Sequence, residues 1–451
     1  MRAYFCGIGG SGVSSLAWIA LDMGWEVSGA DLWESETVKK LRQAGAQIFI
    51  GHQEEQAEGA DVVIYSTAAP QDLPELQWAK RRGIPCWSRP EFLSMLFHQK
   101  PIRIAVTGSH GKTTVSALLS YIFETAGWSP SFVFGGELNH TGRGGKWAEG
   151  DIFVAEADES RPTFLQLFPT SLAFTRIDLD HTDFYPDLQA LLDYFLQFVE
   201  RIPRDGCIVV SLSDQKSEDF ACMLEKRNLP VVTTGFHPRS IIRGFSLHTT
   251  PTGSLLQIII NGREEFEIQT PLVGEYNAQN ILNAIGMAVF HCVPDEKWKE
   301  AIRTFPGVSR RMQFLGKKKG VMYYSDYAHH PTEITELLRS VCGFGPPVVA
   351  VFQPHRFTRT RDFAEQFALA LKISDIVIIT EIFPAGEPPI PEVSARRIVE
   401  AFSGKKVYYC PDKDSLFACL KEVVPPEAIV LFIGAGNIHY WAIEYIQGGA
   451  K

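Results

Sequence analysis

The chain has 451 residues, a formal net charge of −9, 45% hydrophobic residues and 21% charged residues. At roughly 150 residues per domain this length implies about three domains, and the ordinary composition excludes an intrinsically disordered chain. The acidic balance excludes sequence-independent binding to nucleic acid or to an anionic membrane surface, both of which need a basic face.

In chain order, Met1-Arg2 runs straight into a strand pattern, Ala3-Tyr4-Phe5-Cys6, with no signal-peptide apolar core before it. No run of about 20 apolar residues follows anywhere, so a cytoplasmic protein is expected. The loop Gly7-Ile8-Gly9-Gly10-Ser11-Gly12 comes next, and then Leu16, Ile19, Ala20 and Met23 at helical spacing. Asp31 closes a second strand pattern near the distance expected for a ribose contact. This fingerprint admits a dinucleotide, the pyrophosphate of a nucleotide-sugar, or a tight turn without ligand.

The second strand-loop-helix pattern is Ile104-Ala105-Val106, then Gly108-Ser109-His110-Gly111-Lys112-Thr113-Thr114, then Val115, Leu118, Leu119 and Ile122. Glycines let backbone N–H groups close around a phosphate. Lys112 is placed to reach terminal phosphates and Thr113 to offer its hydroxyl to Mg²⁺. Val106 stands where the general phosphate loop has its first glycine. Because Lys112 reads as a phosphate contact and not a core group, Lys112→Ala is expected to cost little stability. Glu156, Asp158 and Glu159 follow the apolar run Ile152-Phe153-Val154-Ala155, and a second acidic cluster follows Leu172-Ala173-Phe174 at Asp178, Asp180 and Asp183 with His181. Two acidic strand ends beside a phosphate loop suggest a metal-phosphate centre. Asn261-Gly262 between two alternating runs predicts a hairpin added to this domain.

The third pattern places Asp326-Tyr327-Ala328-His329-His330 after the strand Met322-Tyr323-Tyr324, and Gln353-Pro354-His355-Arg356 after Val348–Phe352. The histidines lack the spacing of a zinc site and read as contacts to nucleotide. Arg356 and Arg359, three apart at a helix start, read as one face gripping a carboxylate or phosphate. Eight cysteines are scattered without a Cys-x-x-Cys pair, so they read as reduced thiols. Breakers near Lys100-Pro101 and Phe305-Pro306-Gly307 divide the chain. The expected fold is α/β in three domains: Rossmann-like over 1–99, a phosphate-loop ATPase type with a mainly parallel sheet over 100–306, and Rossmann-like over 307–451.

The order of these motifs resembles the Mur ligase family of peptidoglycan synthesis over essentially the whole chain. It is carried by the two glycine loops, Glu156-Ala157-Asp158-Glu159-Ser160, Asp178 to His181, Asn277 with Asn280, Gly307 to Arg311, Tyr327 to Glu333, and Phe352 to Arg356. The resemblance implies an ATP- and Mg²⁺-dependent ligase that joins L-alanine to UDP-N-acetylmuramate through an acyl phosphate; a tripeptide-joining recycling ligase is the alternative. It implies that Gly9, Gly10, Ser11, Gly12 and Asp31 hold the UDP part, with Glu159 and Ser160 toward the rest of that substrate. Gly108 to Thr114, Asn277, Asn280, Arg311 and Asp326 would hold ATP, and Thr113, Glu156 and His181 would surround the metal. Tyr327, His329, His355, Arg356 and Arg359 would meet the amino acid and product. Lys112, His181, Arg356 and Arg359 are the expected catalytic set, in a monomer or homodimer without nucleic-acid or membrane partner. Three positions depart from the family pattern: Arg161, Arg176 and Tyr276.

Overall fold

The structure, a computed structural model, describes residues 1–67, 69–179 and 184–448. Among these residues are three sheets of five, ten and six strands. The first has the order Gln47–Ile50, Glu26–Asp31, Arg2–Cys6, Val62–Tyr65, Cys86–Ser88, all parallel. That is the strand order of a nucleotide-binding half-unit, whose switch point lies at the carboxyl end of the first strand. Gly7, at φ 71°, turns the chain there into the helix Ser11–Asp22. The helix buries Val13, Leu16, Ala17, Ile19 and Ala20 against the sheet.

In the second sheet Ile102–Thr107 lies between Ile152–Glu156 and Ser171–Phe174, parallel to both. Register aligns Val106 with Glu156 and Thr107 with Phe174. The carboxyl ends of three central strands therefore meet where the phosphate loop begins, the usual place for a site in an open α/β sheet. The strands are continuous apolar runs because both faces are covered: Ile104, Ala105, Val106, Phe153, Val154, Leu172 and Phe174 are all fully buried. At the far edge, Gly253–Ile260 and Glu264–Thr270 are neighbours joined through Asn261 and Gly262 at φ 53° and 68°, which is the turn the sequence predicts.

The third sheet is parallel except for its edge strand Gln313–Lys318, which runs antiparallel to Val321–Asp326. Its central strands Ile429–Ile433 and Val348–Phe352 are fully buried. The chain divides into two compact units, one of Met1–Leu247, Leu256–Thr270 and Ala278–Val308, the other of His248–Leu255, Pro271–Asn277 and Ser309–Lys451. The first two sheets share one unit because the helix Ser11–Asp22 packs directly on the short strand Gly145–Lys146. Ser15 Oγ donates to Phe134 O at 3.1 Å, and Lys40 Nζ pairs with Glu137 at 2.8 Å across the same seam. The backbones approach so closely that a Cβ on Gly145 would sit 1.9 Å from Ser15 O. No described helix is long and apolar enough to cross a membrane.

Neither backbone at that seam can move aside cheaply. Gly145→Ala should therefore destabilise the first unit by about 2 kcal/mol, read as a lower midpoint in denaturant unfolding; an unchanged midpoint would show that the seam does not bind the two sheets together.

Candidate active site

The loop after Ile102–Thr107 contains Gly108 at φ 119° and Gly111 at φ 89°, conformations that a side chain resists. Space is equally decisive: a Cβ on Gly108 would lie 2.6 Å from Arg176 O, and one on Gly111 would lie 2.3 Å from Asn280 Oδ1. Between them Ser109 is tied to a neighbouring strand end. Its N–H donates to Arg176 O at 2.7 Å, its hydroxyl donates to Asp178 O at 2.6 Å, and it accepts from Asp178 N at 2.9 Å. Asn283 Nδ2 donates to Phe174 O at 2.8 Å and fixes the helix Glu275–Phe290 against the same strand. The loop thus opens onto the start of the helix Lys112–Thr125, where unsatisfied N–H groups favour an anion.

Lys112 folds back over the loop. Its Nζ donates to Gly108 O at 2.7 Å and lies 2.8 Å from both carboxylate oxygens of Glu159, hydrogen-bonding to Oε1. The two side chains are 13% and 1% exposed. Burial would lower the Lys112 ammonium, but the carboxylates of Glu159, Asp158 and Glu156 outweigh it and hold the amine above its ordinary value. Lys112 is therefore a cation at neutral pH. Tyr185 Oη donates to Glu159 O at 2.7 Å and holds the backbone that presents this carboxylate.

Thr113 Oγ1 donates to Glu156 Oε2 at 3.0 Å, and Gly135 N donates to the same oxygen at 2.8 Å. Thr113 and Glu156, expected together at a metal, are bonded directly, and Gly135 joins them with no signal in the sequence beyond its place just past the strand Ser131–Val133. Hydroxyl and carboxylate oxygens are the donors that Mg²⁺ takes. Among the described residues there is no group of three or more His, Cys, Asp or Glu around one point. His181 and Asp180, expected at this centre, lie outside the described residues. Arg176, one of the departures from the family pattern, pairs through Nε with Asp178 at 2.8 Å, and Lys216 meets the same carboxylate at 2.7 Å. Burial works against that charge, but the two cations hold the Asp178 carboxyl below its ordinary value.

At the first glycine loop Asp31 is bonded to the loop backbone. Its Oδ2 accepts from Gly9 N at 2.8 Å and its Oδ1 from Trp33 N at 3.3 Å, so it braces the loop.

In the second unit Asp326, 6% exposed, accepts from Met312 N at 2.7 Å and Ala328 N at 2.8 Å. Burial pushes its carboxyl up while Arg311 opposes. Tyr276 is held well above the phenol range by burial and by Asp326. Asn277 Nδ2 donates to Val273 O at 2.9 Å. The guanidinium groups of Arg310 and Arg311 lie 4.8 and 5.3 Å from the ring centre of Tyr327. His329 Nδ1 is 3.0 Å from Tyr327 O, and its ring centre is 6.0 Å from that of His355, which stacks on Phe383. Burial lowers His329 to about 4 and His355 to about 3, so both are neutral at pH 7.

Two expectations change here. His330, read with its neighbour as a nucleotide contact, caps the helix Pro331–Cys342 by accepting from Thr332 N, with Glu333 completing the capping box. Arg356 does not share a helical face with Arg359. It precedes the helix Phe357–Leu371 at φ 73°, and its N–H is taken by Phe383 O at 2.9 Å, so the three-residue helical spacing does not apply to the pair.

Comparison with known proteins finds one family along the chain. Models of the Mur ligase family catalytic domain, the Mur ligase middle domain and the Mur ligase glutamate ligase domain match residues 2–101, 106–288 and 310–436. A UDP-N-acetylmuramate--L-alanine ligase of Persephonella marina is 39% identical over 96% of this chain and 94% of its own. One from Aquifex aeolicus is 37% identical over 99% and 97%. The solved UDP-N-acetylmuramate-alanine ligase of Thermotoga maritima superposes with a TM-score of 0.85 at 25% identity, covering 99% of this chain and 98% of that one. A murein peptide ligase from Psychrobacter arcticus shares the fold, with a TM-score of 0.74 at 22% identity, covering 100% and 99%.

The buried pair overturns the expectation that Lys112 is dispensable for folding. Lys112→Ala leaves the Glu159 carboxylate, 1% exposed, without its cation, and should cost about 3 kcal/mol in denaturant unfolding at neutral pH. In the variant the stranded carboxyl has a folded pKa above its unfolded value, so the deficit should shrink as pH falls toward about 5; parental stability at pH 7 would refute the pairing. The partly buried imidazoles of His329 and His355 act in the opposite direction. Their folded values of about 4 and 3 lie below the ordinary 6.5, so stability of the second unit is full above 6.5 and lost as pH falls through 4 and 3. In NMR titration both rings should stay neutral at pH 6, and a midpoint near 6.5 for either would contradict their burial.

Proposed function

The chain belongs to the Mur ligase family, and from that premise we propose that it joins L-alanine to the lactyl carboxylate of UDP-N-acetylmuramate, converting ATP to ADP and phosphate. This is the first amino-acid addition to a peptidoglycan precursor, and we place it in the cytoplasm. The observation that carries the reading is Lys112, charged and buried, held between the carbonyl of Gly108 and the carboxylate of Glu159. It supports a site where a terminal phosphate and an acidic strand end meet. The relatives at 37–39% identity are named for L-alanine, and the tripeptide-joining alternative is not favoured.

In this reading residues 1–99 take the sugar nucleotide, 100–306 take ATP and 307–451 bring in the amino acid. A substrate carboxylate oxygen attacks the γ-phosphorus, the new O–P bond forms as the bond to the β-phosphate oxygen breaks, and ADP leaves. The amine of L-alanine then attacks the acyl carbon; the C–N bond forms, phosphate leaves and the amine loses its proton. Phosphorylation matters because a carboxylate oxygen is a poor leaving group. N–H groups of Gly108 to Thr114 would cradle the phosphates and Lys112 would neutralise charge on the transferring group. Thr113 and Glu156, with His181 by family resemblance, would hold Mg²⁺, which when bound offsets phosphoryl charge. Asn277, Asn280, Arg311 and Asp326 are proposed for the nucleotide. Glu159, Ser160, Tyr327, His329, His355, Arg356 and Arg359 are proposed for the carboxylate substrate, amino acid and product, with Arg359 and Arg356 orienting the incoming carboxylate.

Phosphate release measured with ATP, Mg²⁺, UDP-N-acetylmuramate and L-alanine should require all four, and should fall sharply when glycine, L-serine or a tripeptide replaces L-alanine. Release that no amino acid stimulates would sink the ligase reading, and preference for the tripeptide would sink its substrate.

A further inference from the structure

Arg89 is the first residue of the helix Arg89–Phe97, and the helix start is fixed by a capping box in which Glu91 accepts from Ser88 N and Ser88 Oγ, both at 2.7 Å. The backbone from which the arginine stem departs is therefore fixed. The stem runs across the first glycine loop: a Cβ on Gly12 would lie 2.6 Å from Arg89 Nε, 3.0 Å from its Cδ and 3.1 Å from its Cζ. The arginine thus occupies the space beside Gly12. Arg89 Nε is buried and has no hydrogen-bond partner among the described residues. A buried donor left without a partner is unfavourable until an acceptor reaches it.

On its other side the arginine enters a pocket that Arg89 and Pro90 line together with Glu156, Asp158, Thr163 and Phe164. The side chain therefore borders the glycine loop at Gly12 and shares a pocket with the acidic segment at the end of Ile152–Glu156. Glu156 and Asp158 repel an oxyanion that enters this pocket, and a cation on the facing wall adds to Lys112 in offsetting that repulsion. We propose that Arg89 is a substrate-binding residue that grips an oxyanion of the sugar nucleotide, either its diphosphate or its acceptor carboxylate, with the planar fork that suits both. The inference rests on the sugar-nucleotide reading of the first domain.

Calorimetric titration of the full chain with UDP, UDP-N-acetylglucosamine and UDP-N-acetylmuramate tests it, comparing the parent with Arg89→Gln and Arg89→Lys. Arg89→Gln should weaken UDP-N-acetylmuramate about tenfold or more while affinity for a non-hydrolysable ATP analogue is kept. Arg89→Lys should recover part of the loss, since one point charge replaces two parallel donors. A loss shared by all three ligands identifies the diphosphate as the partner; a loss confined to UDP-N-acetylmuramate identifies the carboxylate. Should Arg89→Gln lose the ATP analogue as well, it has failed to fold, and Arg89→Lys alone decides. Parental affinity for all three ligands in the folded variant overturns the assignment. A parent chain that binds none of them overturns instead the reading of the first domain.

Discussion

One buried ion pair, Lys112 with Glu159, organises the middle of this molecule. The Glu159 side chain is 1% exposed and that of Lys112 13%, and each would be costly to bury alone, because removing a charge from water is offset only by a close opposite charge and hydrogen bonding. The pair joins the first turn of the helix Lys112–Thr125 to the segment following the strand Ile152–Glu156. It also places a cation directly beneath the phosphate loop. The folding constraint and the binding constraint fall on the same two side chains. Around them Thr113, Glu156 and Gly135 form a second, smaller polar knot in which one carboxylate oxygen satisfies two donors.

The second unit handles polarity differently. Its partly buried imidazoles are neutral, and its buried carboxylate at Asp326 is satisfied by backbone N–H groups. Neutral imidazoles present donors and acceptors without repelling the nearby guanidinium groups. That suits a surface whose proposed partners, an amino acid and its product, carry a carboxylate that arginine must hold.

Much of this could be read from local sequence. Gly108, Gly111 and Lys112 signal a phosphate loop because the backbone geometry and the charge both belong to one short segment, and the resemblance to the Mur ligases extended that reading along the chain. What escaped was set by contacts between distant segments. Nothing near Gly145 announces that Ser15 lies against it, so the fusion of the first two sheets into one unit is invisible until the chain is folded. The bracing of the first glycine loop by Asp31 leaves no local signal, because its acceptance of Gly9 N–H crosses from one loop to another. His330 beside His329 looked like a second nucleotide contact, yet it caps a helix, a role set by the fold of the segment after it. Arg356 and Arg359 kept a helical spacing in sequence, but a backbone bond to Phe383 holds the first outside the helix.

The hold on Ser109 has a consequence for how the loop tolerates change. All three of its bonds to the neighbouring segment involve main-chain atoms of residues 176 and 178. The loop consequently reads the path of that segment and is blind to what side chain hangs from it. An arginine can stand at 176 and turn its guanidinium to Asp178 without disturbing the phosphate cradle. Sequence drift there is decoupled from loop geometry, while a proline or an insertion, which would redirect the carbonyls, is not.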